Sequence, residues 1–493
     1  MTTSALGSAL SGLRLAQKAM DVTANNLSNA TIEGYTRKTL AQESVIADGI
    51  GVGVRYGQIQ RYVDQAVQRD YRNQLGTQGY LATREGYLSR LLAVHGSTDN
   101  ESNINAQMGR LYNNFVALSA DPDNPSMHAK IVSQAQQTAR SLNTYHAQLQ
   151  DMRNEVQTQL KTEVQELNGH LKQIADLNIK IKQDAVMGKS TAALEDLRDV
   201  AVKKVAEQLE VSYFIDGDNV LVLQTMQGHV LADTEPRNVR FDHSILTPSS
   251  QYPDSASGLI IELNTNEVVD IAGKSPGGRI GGLLDLRDKE LIGYMTQLDE
   301  LAHKTMLRFE EQGLTLFTDM NGLVPANNPY DYVGLAGSIQ VNTAVLNDPS
   351  LVQKGTGGVP LNPGANDIIM NVVNYTFGRT KDASGTPHTP FNVANLGAYN
   401  NINISIIGNP ESSLLEFAGA ILDNQAKDYD LTNSSLQTES AYLADVQTRL
   451  LEGSAVNSDE ELGRMIEIQK AYSANAKMIG TLDELFRDLL NAI

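Results

Sequence analysis

Two Gly-Lys-Ser triplets, Gly188-Lys189-Ser190 and Gly273-Lys274-Ser275, are the first residues in this chain whose types could do chemistry. In a phosphate-binding loop such a triplet follows a glycine five residues earlier, which bends the backbone around the phosphate. Gln183 and Val268 stand at those positions, so neither triplet fits. The run GIGVGVRYG over 49–57 lacks the glycine spacing of a dinucleotide loop and reads as a turn or an extended strand. Asp216, Asp218 and Asn219 offer oxygen ligands for calcium. Val220 takes the next ligand position, however, and Gln227 stands where the loop needs a bidentate Glu. A hairpin turn fits those residues better. The eight histidines are scattered without metal-ligand spacing. The acidic pairs Glu195-Asp196 and Asp459-Glu460 read as helix-start and solvated-face charges and not as general acids. No Gly-x-Ser-x-Gly elbow occurs. Catalytic, cofactor-binding and metal-ligating residues are therefore all expected to be none, and an enzyme is the weak reading.

Composition points the same way. The chain has 493 residues, room for several domains, and a formal net charge of −19. Such a charge opposes binding to phosphate backbones, so no nucleic-acid partner is expected. Cysteine is absent, which removes disulfides, thiolate nucleophiles and cysteine metal sites together. The first twenty residues lack the basic region and apolar core of a cleaved secretory signal. Apolar runs nowhere reach the ~18 residues of a membrane span, so no membrane partner is expected.

The elements that could position a site are more informative than its chemistry. Leu6, Leu13, Met20 and Leu27 recur every seven residues, with Ala9, Ala16 and Ala30 on a second stripe that Thr23 breaks. This is the seam of a coiled coil, on a helix over about 4–27. At 1.5 Å per residue such a helix is roughly 35 Å long, and alone in water it is marginal. The C-terminal segment mirrors it. Met465, Tyr472, Ile479, Phe486 and Ile493 share one stripe, and Ile468, Leu482 and Leu489 another that Asn475 interrupts. Ser458 to Glu461 reads as a capping box that starts this helix. Two heptad helices at opposite chain ends invite pairing, although burial against the body of the same chain would produce the same pattern.

Between them, 64–92 is helical but interrupted by Gly76, Gly79 and Gly86. Helix is expected over 108–118, then a turn at 121–126 with Pro122 and Pro125 as breakers, a long helix over 146–183 and another over 191–209. The period then becomes two over 211–233, with a turn at Asp216 to Asn219, and β pattern continues to about 273. Helix returns over 281–313, residues 321–409 read as a loop-rich or β-rich insertion, and helix resumes over 412–451. The expected fold is mainly α with inserted β. It is a discontinuous long-helix bundle or coiled coil built from both chain ends, plus a β-rich outer domain. The expected division is 1–57 with 453–493 as an inner coiled-coil domain; 58–209, 276–320 and 410–452 as a long-helix domain; 210–275 as a β-rich domain; and 321–409 as an insertion.

The stretch SALSGLRLAQKAMDVTANNLSNATIEGYTRK over 8–38 resembles the N-terminal signature of bacterial flagellar rod, hook and hook-associated proteins. Its core is Ala24, Asn25, Asn26, Leu27, Asn29 and Ala30, closed by Gly34 and Tyr35. Glu33 stands where the family commonly has proline. The asparagines are expected to ease the turn out of the helix, and Gly34 to let the chain reverse. Residues 469–476, QKAYSANA, resemble the closing helix of the same family. The stretches at 194–211, 277–291 and 341–352 resemble its hook-associated branch, which joins hook to filament. The resemblance implies a structural role in a ring of about eleven subunits, a closed symmetric assembly. It further implies an inner tube of terminal helices, with Leu6, Leu13, Met20, Leu27, Met465, Tyr472, Ile479 and Phe486 as the assembly interface. The implied partners are further copies of the chain, the hook protein, the next junction protein toward the filament, and a cytoplasmic export chaperone at the C-terminal helix. The implied place is the extracellular hook–filament junction, reached by flagellar type III export. Another axial protein, or a secreted adhesin or enzyme with flagellar-type termini, are the alternatives.

Overall fold

The computed structural model describes residues 2–47, 50–95, 103–264, 267–274, 276–358, 362, 364–404 and 409–491. Gly49, Ser275 and Ile493, named above, lie outside the described residues, as does the side chain of Leu489. Chain order begins with helix α1 (Thr2–Asn29), the antiparallel strands β1 (Lys38–Ala47) and β2 (Ile50–Arg61), and the helices α2 (Gln65–His95) and α3 (Ile104–Ser119). Next come α4 (Pro125–Val186) and α5 (Ala192–Gln208). Two small antiparallel sheets follow, β3 (Val211–Ile215), β4 (Leu221–Thr225) and β5 (Val230–Ala232), then β6 (Asn238–Arg240), β7 (Ile260–Asn264) and β8 (Glu267–Asp270). Helices α6 (Gly278–Asp285) and α7 (Leu291–Glu311) flank a π turn at Leu286–Glu290. Beyond α7 lie β9 (Phe317–Thr318), β10 (Gln340–Val341), and the short helices α8 (Thr343–Asn347), α9 (Leu351–Lys354) and α10 (Asp367–Asn371). Two long helices close the chain, α11 (Leu414–Ser454) and α12 (Ser458–Asn491). The fold is mainly α with inserted β, and its long helices come from both halves of the chain.

Helix α4 shows why this bundle forms. It runs unbroken for 62 residues. Leu142, Leu149, Val156, Leu160, Leu167, Leu171 and Ile174 recur at helical spacing along one side, and all are buried in a single apolar core shared with α3, α5, α7 and the β material; Ile181 continues the stripe and is also buried. That burial, and not propensity, stabilises a helix of such length. The helix starts earlier than the sequence suggests. Pro125 sits in its first turn, where a missing N–H costs nothing, and Asn124 caps it by accepting from the Ser126 and Met127 amides. The expected interruption of α2 by glycine is likewise absent. Gly76 and Gly79 stay helical because α2 packs closely on α5: a β-carbon at Gly79 would meet the Glu207 carbonyl oxygen at 2.7 Å. Here glycine marks close approach and not a break.

Buried charge ties the β material to the bundle. Arg153 of α4, fully buried, donates to the carbonyls of Arg287 and Ser250. Arg287, on the π turn, donates to Gln157 and to the Ser257 carbonyl. Helix α7 carries Asp299 and Glu300 into the 321–409 segment. Asp299 accepts from the Gly334 and Ala336 amides at 2.7 and 2.8 Å, and Glu300 from the Asn392 amide at 2.6 Å and from Tyr332. Within that segment the described residues form loops, short helical turns and only the two-residue strand β10. Of the two readings of that segment, loop-rich or β-rich, the described residues follow the loop-rich one, with loops pinned on α7.

Candidate assembly site at the terminal helices

Helix α1 packs on α12 and on the β1–β2 hairpin. Ala9 and Ala16 are buried, and a β-carbon at Gly12 would touch the Asn475 side chain at 2.8 Å, so small residues let the two helices approach closely. Leu6, Leu13, Met20 and Leu27 are half-buried, as are Met465, Ile479 and Phe486, while Tyr472 is 38% exposed. Leu482, on the second stripe, is buried at 9% exposure. A seam completed within one chain would bury such residues as fully as α4 buries its own. Around it, Leu10 of α1 and Leu462, Ile466, Met478 and Leu485 of α12 are 41–55% exposed.

The asparagine-rich core does more than end a helix. Asn26 lies inside α1, with no exposed surface. Its amide nitrogen donates to the Lys38 carbonyl at 2.9 Å and to Glu461 at 3.1 Å, and its oxygen accepts from the Lys38 amide and from the Tyr35 hydroxyl. One side chain thereby serves both backbone groups of the first hairpin residue and reaches the first turn of the last helix. Only an amide, with donors and an acceptor on one planar group, can do this. Asn25 and Asn29 instead bond back to the carbonyls of Asp21 and Asn25, and Ala24 is exposed. Gly34 has φ +78°, and a β-carbon there would fall 2.3 Å from Val200, so glycine is required at this corner.

Glu461 is the counterpart at the other chain end. It is fully buried and also accepts from Arg37 Nε at 2.9 Å. It therefore does not complete a capping box with Ser458, as its position suggests. Helix α12 is capped one residue earlier, by Asn457, whose oxygen accepts from the Asp459 and Glu460 amides.

Beside this hub lies a buried ion cluster that corrects a second reading. Glu195 and Asp196 do not lie on a solvated face. Asp196 accepts from Lys38 at 2.6 Å, from both the amide and the hydroxyl of Thr36, and from Arg61. Arg61 also contacts Glu195 and Asp199, and Arg72 reaches Asp199 at 2.7 Å. Burial pushes the Asp199 carboxyl up, but Arg72 and Arg61 outweigh it and hold it at about 2. Burial, helped by Asp196 and Glu461, pushes the Tyr35 hydroxyl up to about 12, so it stays a hydrogen-bond donor. The signal available in sequence was the spacing of Asp196 and Asp199, which puts both on one helix face.

The groups first suspected of chemistry sit in structural roles. Asp216 accepts from the Asp218 and Val220 amides in the β3–β4 turn. Gly188 takes a left-handed turn after α4, and Lys189 pairs with Asp184. Among the described residues no His, Asp and Glu side chains group as metal ligands, and no helix is long and apolar enough to cross a membrane.

Three family models match the chain in the order of these elements. Residues 6–36 match the flagella basal body rod protein, 95–323 the flagellar hook-associated protein FlgK helical domain, and 447–492 the flagellar basal body rod FlgEFG protein C-terminal segment. Flagellar hook-associated protein 1 of Bacillus subtilis is 25% identical over all of this chain and 99% of its own length. That of Salmonella typhimurium is 24% identical over 99% of each. Over its full length the chain is similar to flagellar hook-associated protein 1. It has a structural role in the flagellar axis. A solved structure, the flagellar hook junction protein FlgK from Burkholderia pseudomallei, aligns at 21% identity and a TM-score of 0.44, over 52% of this chain and 45% of its own. The rod-type models cover α1 with its corner to residue 36 and the end of α11 with α12, so the seam, Asn26 and Glu461 lie in the stretches they match.

Proposed function

We propose that this chain is the ring-forming adaptor between hook and filament, a structural protein and not an enzyme. The observation that carries this reading is the unfinished seam. The α1–α12 pair leaves its heptad residues half-buried and an apolar margin exposed along α12. Contiguous apolar surface of this kind marks an interface, and further copies of the chain would cover it. In this reading 1–57 with 453–493 forms the inner tube. Residues 58–209, 276–320 and 410–452 form the layer around it, and 210–275 and 321–409 face outward. The ring holds about eleven subunits in closed cyclic symmetry. Its neighbours are the hook protein on one side and the next junction protein on the other. The chain leaves the cell by flagellar type III export, with a cytoplasmic chaperone on α12 beforehand, and ends in the extracellular flagellum.

Deletion tests the adaptor role. Cells lacking the chain should build hooks of normal length, carry no filaments and release filament protein into the medium. Filaments of normal number on such cells would sink the reading.

A further inference from the structure

We propose that Lys304 and Asn327 become covalently joined once the chain has folded. An isopeptide bond forms between Lys304 Nζ and the side-chain carbonyl carbon of Asn327, ammonia leaves, and Glu300 carries the protons.

The arrangement is built on one turn of α7. Glu300 and Lys304 stand four residues apart, and neither side chain has exposed surface. A buried ion pair of ordinary geometry brings nitrogen and oxygen to about 2.7–2.9 Å. Here they are 3.6 Å apart, and the lysine lies closer to an amide: Nζ donates to Asn327 Oδ1 at 2.7 Å. A carbonyl bond is about 1.2 Å long, so the Asn327 carbon is at most about 4 Å from that nitrogen. A small shift brings it to the ~3–3.5 Å of a reactive approach. Asn392 Nδ2 donates to the same Asn327 oxygen at 3.2 Å, and to the Tyr332 hydroxyl at 2.9 Å. Tyr332 in turn donates to Glu300 and stacks on His303, ring centres 4.2 Å apart.

The step balances without a co-reactant. Burial pushes the Lys304 ammonium down and the Glu300 carboxyl up, which favours moving a proton from the one to the other. The neutral amine attacks the Asn327 carbon, and the oxyanion that develops meets the Asn392 donor. Glu300 gives its proton to the leaving nitrogen and takes one from the attacking nitrogen. The carbon–nitrogen bond of the Asn327 amide breaks, so one amide replaces another and nothing is oxidised or reduced. Asn327 belongs to an exposed loop, which leaves the ammonia a way out, while the attacking pair stays buried. The bond ties the 321–409 segment to α7 in a chain that has no cysteine for a disulfide. Like a disulfide, it restricts the unfolded chain. The geometry exists only after folding, so the link follows folding.

The test is the intact mass of the full chain, folded at neutral pH and denatured before measurement. It should fall short of the sequence mass by one ammonia. A tryptic digest should contain a branched peptide, uncleaved after Lys304 and joined to the peptide that carries Asn327. Asn327→Ala, a change in the exposed loop, should show the full mass of its own sequence, and so should Glu300→Gln. The unaltered chain, folded and at full sequence mass, overturns the proposal. So does a loss of ammonia with Lys304 still cleaved by trypsin, which marks a cyclic imide such as one at Asn321-Gly322. A branched peptide that persists in folded Glu300→Gln overturns the proton-carrying step. Should that variant not fold, the digest of the unaltered chain decides.

Discussion

At the residue scale the most demanding position is Asn26. It satisfies both backbone groups of Lys38 and one oxygen of Glu461 where water does not reach. Each buried group left without a partner costs about 1–3 kcal/mol, so Asn26→Ala should destabilise the terminal unit by about 2–4 kcal/mol. Hydrogen exchange of α1 and α12 measures this, and a loss below about 0.5 kcal/mol would contradict the hub. Asn26→Asp should be at least as harmful. A carboxylate cannot donate to the Lys38 carbonyl, and it would face Glu461. The position of Asn26 in a motif was visible in sequence, but its role was not. Nothing in the order of residues shows that positions 26 and 461 meet.

At the element scale the prediction concerns the seam. Leu13→Glu with Ile479→Glu places carboxylates at two half-buried positions of the α1–α12 pair. Residues 104–454 should keep their melting transition, while incorporation into flagella is abolished. Incorporation at normal levels would reject the pairing model. Element types were largely legible. The period of seven at both ends, the change to period two after 211 and the helical run of α4 each reflect a burial pattern that repeats locally. What misled were the punctuating residues. Pro125 starts a helix, Gly76 and Gly79 sit within one, and Glu461 leaves the cap of its own helix for a partner far away in sequence. In each case the deciding atom belongs to another element, such as the Glu207 carbonyl beside Gly79. The pairs joining Lys38 and Arg61 to α5 were hidden for the same reason.

At the scale of the whole molecule, α7 carries the clearest dependence on pH. Burial pushes the Asp299 carboxyl up to about 7, against the lowering effect of the Ala336 and Gly334 amides. The folded pKa is raised, so protonated Asp299 is compatible with burial and the stability it allows is complete below about 4. That stability is lost as pH rises toward 7, because the unfolded chain ionises the group more readily than the folded one. The loss approaches about 4 kcal/mol, from a shift of roughly three units at about 1.4 kcal/mol each. His146, 4.0 Å away, and His303 are held down to about 4 by burial, while the unfolded chain protonates both more readily, so their contributions rise with pH over the same window and oppose that of Asp299. In urea unfolding, the stability of Asp299→Asn relative to the unaltered chain should rise as pH goes from 4 to 7, which isolates the Asp299 contribution from those of the buried histidines. Parallel curves would mean that Asp299 does not titrate in this range.

The bond from Asn26 to Glu461 spans 435 positions of sequence. A chain emerging from its N-terminus can form the hairpin and the first helix but cannot finish the corner until residue 461 arrives. A fragment broken anywhere before that point leaves Arg37 without its buried carboxylate and Asn26 with a free donor. The corner is therefore complete only in a chain that carries both of its ends, through the bonds of Asn26 and Arg37 to Glu461.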